Sequence, residues 1–237
     1  MKISDVTVSF ERFTLHVDEL SLRSGEVYGI IGPNGCGKTT LMRILAGLQK
    51  PDTGRIDYEG LTPRDITMVF RKPYLLHDTV LRNLVYPLTI RGIKPDAGLV
   101  ERYLEIAGLQ NRRDEYAPAL SSGEQQKLAL VRAMIFSPKL TLIDEAFSNL
   151  DMESAAAFER LILERQRQEP VIHVICAHQL SHIQRLCGYV FFMHGGRVEA
   201  HGPVDEIFNR PQNPYLRKYL QYASLKDEGD GRGISES

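Results

Sequence analysis

The sequence predicts an α/β fold with a mostly parallel sheet, and three observations support that prediction. Short apolar runs alternate with helix-patterned runs near both ends of the chain. A glycine-rich loop stands between one such strand and one such helix. Leu140–Ile143 and Val171–Cys176 are apolar throughout, which is typical of parallel strands covered by helices on both faces.

The first part of the chain predicts an antiparallel β region, because short strands follow one another with turn residues between them. One helix interrupts them, over residues 39–48. The predicted strands and turns, in order, are Ile3–Phe10, Phe13–Val17, the Ser24-Gly25 turn, Val27–Ile31, the Pro51–Gly54 turn, Arg55–Tyr58 and Ile66–Phe70.

An inserted helical subdomain is expected over about residues 72–138, where Val100–Ala107 and Glu124–Phe136 have the clearest helical periodicity. Strands and helices then alternate again, and a Gly195-Gly196 hairpin follows the strand Tyr189–Met193. The elements of this part are Leu140–Ile143, a helix over Glu153–Gln168, Val171–Cys176, a helix over Ser181–Cys187, Tyr189–Met193 and Val198–Ala200. We expect one domain over residues 1–221 and a polar, disordered tail over 222–237.

Composition excludes several classes of protein. The 237 residues carry a formal net charge of −1, so nothing indicates a surface for nucleic acid or anionic lipid. No apolar run approaches the length of a membrane span, and the N-terminus lacks a signal-peptide pattern. Cys36, Cys176 and Cys187 have no spacing that suggests a disulfide framework or a zinc site. We therefore expect a soluble, cytosolic protein.

A phosphate-binding motif lies between a predicted strand and a predicted helix. It fits the pattern G-x-x-x-x-G-K-[ST] and reads Gly32-Pro33-Asn34-Gly35-Cys36-Gly37-Lys38-Thr39. The glycines let backbone N–H groups surround a polyphosphate, and the helix directs its positive dipole end at the same anion. Lys38 adds a charge near the β- and γ-phosphates, and Thr39 can ligate Mg²⁺. The motif predicts a P-loop NTPase core.

Two acidic residues follow the strand that ends at Ile143. Asp144 can bind Mg²⁺ directly or through water, and Glu145 can orient or deprotonate an attacking water. A strand end beside a phosphate loop is where ligands bind in such sheets. The alternative is that both acids are favourable first-turn residues at a helix N-terminus.

A second helix N-terminus has a polar sequence that fits both a cap and an anion site. Ser121 fits an N-cap, and Glu124 stands three residues later, as in a capping box. A helix that begins with serine and glycine is also a ready anion site. This segment lies on the helical part of the chain, so it need not reach the phosphate bound by its own Lys38.

Taken together, these motifs resemble the ATP-binding subunit of ABC transporters over about residues 3–220. His178 is similar to the family's switch histidine, and Phe10 to the aromatic residue that stacks on adenine, with Phe13 a weaker candidate. The other matches to the family's motifs are Leu120–Gln125 with the LSGGQ signature, Leu140–Glu145 with the Walker B strand and Ser148–Asp151 with the D-loop.

The resemblance implies that two copies form a homodimer on ATP binding and enclose two ATP molecules with Mg²⁺. Glu145 and His178 would be the catalytic residues, while Ser121 and Gly123 would contact the ATP held by the other copy. The full set expected to bind nucleotide is Phe10, Gly32, Pro33, Asn34, Gly35, Cys36, Gly37, Lys38, Thr39, Thr40, Ser121, Gly123 and Glu124, with Thr39 and Asp144 on the metal.

The resemblance also implies partners and a location. Such a chain works with an integral membrane permease subunit and, indirectly, with a substrate-binding protein. It would therefore lie at the cytoplasmic face of the cell membrane as a peripheral subunit. The apolar residues Tyr74, Leu75 and Leu76, beside a charged stretch, predict that segment 71–93 contacts the permease. The alternative is that these side chains pack inside the helical lobe.

Two residues depart from the family pattern. Arg71 stands where the family usually has glutamine, and arginine offers only donors, so it cannot ligate a metal. At 4 Å from Mg²⁺ it would face a repulsion of about 8 kcal/mol at an effective dielectric of 20. We therefore expect Arg71 to turn to a phosphate or an acid, unless it is a tolerated surface residue. Ser122 replaces the first signature glycine.

The sequence as a whole predicts the ATP-hydrolysing subunit of an ABC importer. The segment from Arg71 to Ile93 most resembles tungstate or molybdate importer subunits, so uptake of such an oxyanion is the predicted process. The alternatives are a non-transport ABC ATPase and a weakly active ATP-binding regulatory module. The departures at Arg71 and Ser122 are the reason for keeping the last of these.

Overall fold

The computed structural model of the protein describes residues 1–177 and 179–230. The strands are β1 (Lys2–Phe10), β2 (Phe13–Ser21), β3 (Val27–Ile31), β4 (Thr53–Asp57), β5 (Ile66–Val69), β6 (Leu140–Asp144), β7 (Ile172–Cys176), β8 (Tyr189–His194) and β9 (Arg197–Pro203). The α-helices are α1 (Lys38–Leu45), α2 (Val80–Thr89), α3 (Ala97–Ala107), α4 (Ser122–Met134), α5 (Met152–Gln168), α6 (Leu180–Leu186), α7 (Val204–Asn209) and α8 (Pro214–Asp230).

The chain forms two compact units. The first comprises Met1–Glu59 together with the chain from Ile175 onward, and the second comprises Gly60–Val174. β7 crosses the boundary, so its residues are divided between the units. The phosphate loop belongs to the first unit, and the signature segment and the acidic strand end belong to the second.

The first unit contains a mixed sheet in the strand order β4-β1-β2-β9-β8-β3. β1 runs antiparallel to both β2 and β4, which confirms the predicted antiparallel N-terminal part. β3 and β8 are parallel, as expected for a P-loop core. Gly195 and Gly196, at φ 54° and 81°, form the predicted hairpin between β8 and β9, because glycine accepts left-handed backbone at no steric cost.

The strand before the phosphate loop is fully buried. All five residues of β3 are buried, and the buried side of α1 includes Leu41, Met42 and Leu45. Apolar burial of this kind contributes about 25 cal/mol per Å² removed from water. The loop between β3 and α1 is therefore held at both ends by core elements.

The second unit combines a parallel strand pair with helices. β5 and β6 are parallel, with Ile66 opposite Leu140 and Val69 opposite Ile143. α4 packs against both α2 and α3. These helices lie inside the stretch where the sequence predicts an inserted helical subdomain, although its limits at about 72 and 138 remain a prediction.

The C-terminal helix is longer than the sequence analysis expects. Disorder is expected from residue 222, but α8 continues to Asp230. Residues 222–228 include alanine, leucine, lysine and glutamate, which are good helix formers, and the first glycine of the tail is Gly229. The rest of the predicted tail, 231–237, lies outside the described residues. Among the helices of the described part, none has the length and apolar character of a membrane span.

Candidate functional site

The predicted phosphate loop connects β3 to α1 and packs so closely that two of its glycines are required. Gly32 has φ 148°, and a Cβ there would lie 2.1 Å from the Met193 carbonyl oxygen. Gly37 has φ 106°, and a Cβ there would lie 2.9 Å from Cζ of Phe13. The loop therefore needs backbone without side chains at both positions, as a polyphosphate cradle does.

Lys38 supplies a cation inside this loop. Its Nζ donates hydrogen bonds to the carbonyl oxygens of Gly32 at 2.8 Å and Pro33 at 3.0 Å, and the residue is 7% exposed. Lys38 is also the first residue of α1, and no side chain of the described residues caps that helix. Neutral carbonyls orient the ammonium group without cancelling its charge, so the loop fits an anionic ligand.

The remaining loop residues divide by exposure. Asn34, Gly35 and Thr39 are exposed, whereas Pro33 and Thr40 are half-buried. Cys36 is buried, and burial raises the pKa of its thiol, so the group stays neutral and fills space.

Two aromatic rings stand at the turn between β1 and β2. The ring centroids of Phe10 and Phe13 are 6.1 Å apart. Phe13 is the ring that lies against Gly37, while Phe10 is 48% exposed. An exposed ring of this kind leaves a face on which a nucleobase can stack.

The second unit carries two buried carboxylates at the end of β6. Asp144 is 3% exposed and Glu145 is 9% exposed, and each offers a carboxylate oxygen within 4.8 Å of the other. Glu145 has φ 53°, a left-handed conformation that is unusual for a non-glycine residue. Two carboxylate oxygens this close together can ligate Mg²⁺, which is usually bound by one or two carboxylates and keeps several of its water ligands.

Arg71 forms an ion pair with the second of these acids. Its Nη1 lies 3.2 Å from Oε2 of Glu145. The charge of Arg71 predicts a phosphate or an acid as its partner, and the structure pairs it with the acid. The Arg71 side chain is 68% exposed, whereas that of Glu145 is only 10% exposed. The guanidinium therefore reaches inward from the surface to a largely buried carboxylate.

The signature segment forms the predicted capping box at the start of α4. The Ser121 hydroxyl accepts a hydrogen bond from the Glu124 backbone N–H, and the Glu124 carboxylate accepts one from the Ser121 N–H at 3.0 Å. The Ser121 hydroxyl also donates to that carboxylate at 2.7 Å. This hydroxyl bond, with Arg112 as a further cause, lowers the pKa of Glu124 to about 2. Glu124 is therefore ionised at neutral pH.

The two residues between Ser121 and Glu124 differ in their tolerance of a side chain. A Cβ on Gly123 would lie 3.1 Å from the Asn149 carbonyl oxygen, so a side chain there would press on the predicted D-loop. Ser122 is exposed, so its side chain is accommodated within this chain. The departure at Ser122 thus has no packing cost here.

Comparison with known proteins identifies the family. A family model described as ABC transporter matches residues 15–148, which is more than half of the chain. The chain belongs to the ABC transporter family. It is an ATP-binding subunit of the importer type, and ATP hydrolysis is its enzymatic activity.

Several curated proteins are similar to this ABC subunit. The tungstate uptake system ATP-binding protein TupC of Peptoclostridium acidaminophilum is 37% identical over 200 residues, covering 82% of this chain and 92% of the relative. The methionine import ATP-binding protein MetN of Geobacillus kaustophilus is 34% identical over 222 residues, covering 86% of this chain. The chain spans only 65% of the length of that MetN protein.

A solved structure supports the fold. The protein titled "Structure of ATP binding subunit of ABC transporter" superposes with a TM-score of 0.81, covering 94% of this chain and 98% of that one. Their sequences are 24% identical, so the likeness shows the fold alone.

Not every predicted site residue of this ABC subunit can be placed. His178, the predicted switch histidine, lies outside the described residues. Of the predicted D-loop, the Ser148 hydroxyl donates to the Glu145 carbonyl oxygen at 2.9 Å, and Asp151 caps α5 through the Ser154 N–H at 2.8 Å. The D-loop residues are thus tied to the acidic strand end and to the next helix.

Sequence reasoning missed Arg112 and Gln126. Arg112 contacts the Glu124 carboxylate and also bonds Glu115 at 2.7 Å, so it holds the outer side of the capping box. Gln126 is fully buried, and its Nε2 donates to the Phe70 carbonyl oxygen at 3.3 Å. An arginine twelve residues before the acidic residue of the signature is a weak signal that could have suggested the contact of Arg112 with Glu124. Nothing in the local sequence pattern indicated the contact of Gln126 with Phe70.

Proposed function

We propose that this ATPase subunit drives the uptake of an oxyanion such as tungstate or molybdate through a separate membrane permease. The observation that carries the proposal is the TupC relative, which matches over 92% of its own length. For the MetN relatives, by contrast, the aligned region covers only 63–70% of their length. Methionine import is therefore the second candidate.

Each site residue has a role in ATP hydrolysis under this proposal. Lys38 and the loop N–H groups bind the β- and γ-phosphates, and Phe10 stacks on adenine. Asp144 and Thr39 would hold Mg²⁺, which neutralises charge on those phosphates when bound. Glu145 accepts the proton of the attacking water while the water oxygen bonds the γ-phosphorus, and ADP leaves with the electron pair of the broken P–O bond.

ATP would also join two copies of the chain. Ser121 and Gly123 stand at a helix N-terminus that can accept a γ-phosphate held by the Lys38 of another copy. Because ATP would bind the dimer better than the separate chains, nucleotide would favour association and hydrolysis would favour release. His178 would contact the γ-phosphate, as the family resemblance implies.

An apolar groove in the second unit is the surface on which we expect the permease to dock. The groove has a volume of about 330 Å³ and includes Tyr74, Tyr86 and Ile90 in its lining. These three side chains are 75%, 43% and 55% exposed. Such exposure favours a partner surface at Tyr74, whereas Leu75 and Leu76, the other two residues of the predicted contact, are half-buried. The Arg91 guanidinium lies 3.6 Å from the Phe136 ring centroid and fixes one wall.

The docking surface is tested with Tyr74→Glu. This change should uncouple ATP hydrolysis from uptake while leaving ATP affinity and thermal unfolding unchanged, because it places a charge on an apolar contact. Tyr222→Glu is the matched control, since Tyr222 is 62% exposed on α8 of the first unit. Global unfolding of the Tyr74 variant would instead favour the packed alternative.

The transported substrate is tested by uptake in cells that lack this chain. Return of the wild-type gene should restore tungstate or molybdate accumulation, and the Glu145→Gln gene should not. Restoration of methionine uptake alone would replace the oxyanion proposal with the second candidate. Restoration of neither, with phosphate release intact, would favour a non-transport ATPase. A failure to release phosphate even with the permease present would favour a regulatory module.

A further inference from the structure

The segment that carries Arg71 is tied to α4 on both sides of the ion pair. On one side, Gln126 donates to the Phe70 carbonyl oxygen at 3.3 Å. On the other side, the guanidinium of Arg132 donates to the Tyr74 carbonyl oxygen. Both donors lie on α4, so residues 71–73 form a short bridge between two fixed points. Arg71 is the residue of that bridge that reaches Glu145.

A third tie fixes the part of the segment that enters α2. The side chain of Asn83 is fully buried, and its Oδ1 accepts the Leu76 N–H at 2.8 Å. Its Nδ2 donates to the Leu76 carbonyl oxygen at 3.1 Å and to that of Thr79 at 3.0 Å. Arg132 also donates to the Asn83 Oδ1 at 3.2 Å. The groove residues Tyr74 and Leu76 thus belong to the same hydrogen-bonded segment as Arg71.

We propose that Arg71 is a positioning residue that holds Glu145 in an idle arrangement. The proposal rests on the proposed function, because it assigns Glu145 the role of base. In the subunit alone, the ion pair occupies Oε2 of Glu145 and directs that oxygen at the guanidinium.

The chemistry of arginine explains why this pair restrains the base. A guanidinium offers only hydrogen-bond donors. Arg71 therefore cannot accept a hydrogen bond or a proton from the attacking water, as Glu145 can. Glu145 is nearly buried, so its carboxylate has little access to bulk water that could replace the pairing. Arg71 is mostly exposed, which limits the strength of the pair. The restraint is therefore weak.

The exposure of the Arg71 side chain also limits how much a substitution there can change kcat. Pairs with a solvated partner contribute up to about 1 kcal/mol, which corresponds to about a five-fold change in a rate or a population. Arg71→Gln should therefore raise kcat of the isolated subunit by up to about five-fold, with KM for ATP unchanged. Arg71→Lys keeps the cation and should stay near the wild-type kcat.

A second arginine–glutamate pair provides the matched control. Arg102 lies 2.6 Å from Glu164, and its side chain is 52% exposed, but both residues are outside the site. Arg102→Gln should leave kcat and KM unchanged. Thermal unfolding of all three variants checks that none of them disturbs the fold.

The experiment is a steady-state phosphate-release assay on the purified subunit with ATP and Mg²⁺, with Glu145→Gln as the blank. A higher kcat for Arg71→Gln alone supports the restraint. A lower kcat would overturn it and assign Arg71 to the γ-phosphate, as for an arginine finger. Equal rates for Arg71→Gln and wild type would also overturn it. If Glu145→Gln turns over as fast as wild type, the role of Glu145 in the proposed function fails instead.

Discussion

Two helix N-termini in this protein have the residues of an anion site, but they are prepared in different ways. α1 begins at Lys38 after Gly37, and no side chain within the described residues caps it. α4 begins after Ser121, and a complete capping box already satisfies its first turn. The first end carries a cation held by neutral carbonyls, while the second carries an ionised Glu124 held by Arg112.

The difference shows that a helix dipole alone does not define a binding site. At α1 the glycines, the lysine and the uncapped turn all favour an anion, so we expect this end to bind ATP by itself. At α4 the carboxylate of Glu124 opposes an approaching phosphate, and Arg112 offsets that charge. We infer that α4 is stable without nucleotide and adds its affinity only when a second copy delivers a γ-phosphate.

The largest expected effect removes the cation from the first end. Lys38→Ala should lower the affinity for ATP·Mg²⁺ by about 100-fold or more, because charge-assisted bonds to phosphate are the strongest in the loop. Titration with a fluorescent ATP analogue measures it. Lys50→Ala is the control, since Lys50 is exposed beyond the end of α1. Retained micromolar affinity in the Lys38 variant would remove our role for this residue.

An intermediate effect tests the second end. Arg112→Gln should weaken the ATP-dependent dimer by about ten-fold while leaving the ATP affinity of the single chain unchanged. An uncompensated carboxylate about 5 Å from a phosphate costs on the order of 1–3 kcal/mol. Sedimentation of the variant with a non-hydrolysable ATP analogue gives the dimer constant.

Arg113 is the control for that measurement. It is adjacent in sequence and pairs with Glu101 at 2.7 Å, away from the signature. Arg113→Gln should therefore leave the dimer constant unchanged. If both variants weaken the dimer equally, a general loss of positive charge explains the result, and the contrast between the two helix ends is wrong.

The smallest expected effect concerns stability and pH. The folded pKa of Glu124 is about 2, below its ordinary value of 4.5, so its contribution to stability is complete above about pH 4.5. That contribution is lost as the pH falls toward 2, because the unfolded chain then binds the extra proton. Glu124→Gln should flatten this part of the pH–stability profile, measured by denaturant unfolding at pH 7 and pH 3. An unchanged profile would show that the ionised Glu124 of the capping box contributes nothing measurable to the free energy of unfolding.

Local spacing explains why much of this site could be predicted. The phosphate loop and the capping box are each contained in a few consecutive residues, so residue type and order suffice to predict them. The apolar strands β3 and β6 were predictable for the same reason, since burial on both faces leaves an unbroken apolar run. Asp144 and Glu145 could also be predicted as site residues, because they stand at the end of the strand β6.

Contacts between distant residues explain what could not be predicted. Charge alone limits the partner of Arg71 to a phosphate or an acid, but only folding decides that the partner is Glu145. The contacts of Arg112 with Glu124 and of Gln126 with Phe70 depend on how the segments pack. α8 extends past residue 222 because the helix propensity of residues 223–228 outweighs their polar composition.

The most direct test of the account is the mass of Glu145→Gln with saturating ATP and Mg²⁺. This variant should bind ATP without cleaving it, so the signature helix of each copy should stay on the phosphate of the other. Size exclusion with light scattering should give about 54 kDa with ATP, twice the chain mass of 26.8 kDa, and 26.8 kDa without nucleotide. A mass of 26.8 kDa at saturating ATP and high protein concentration would contradict the account.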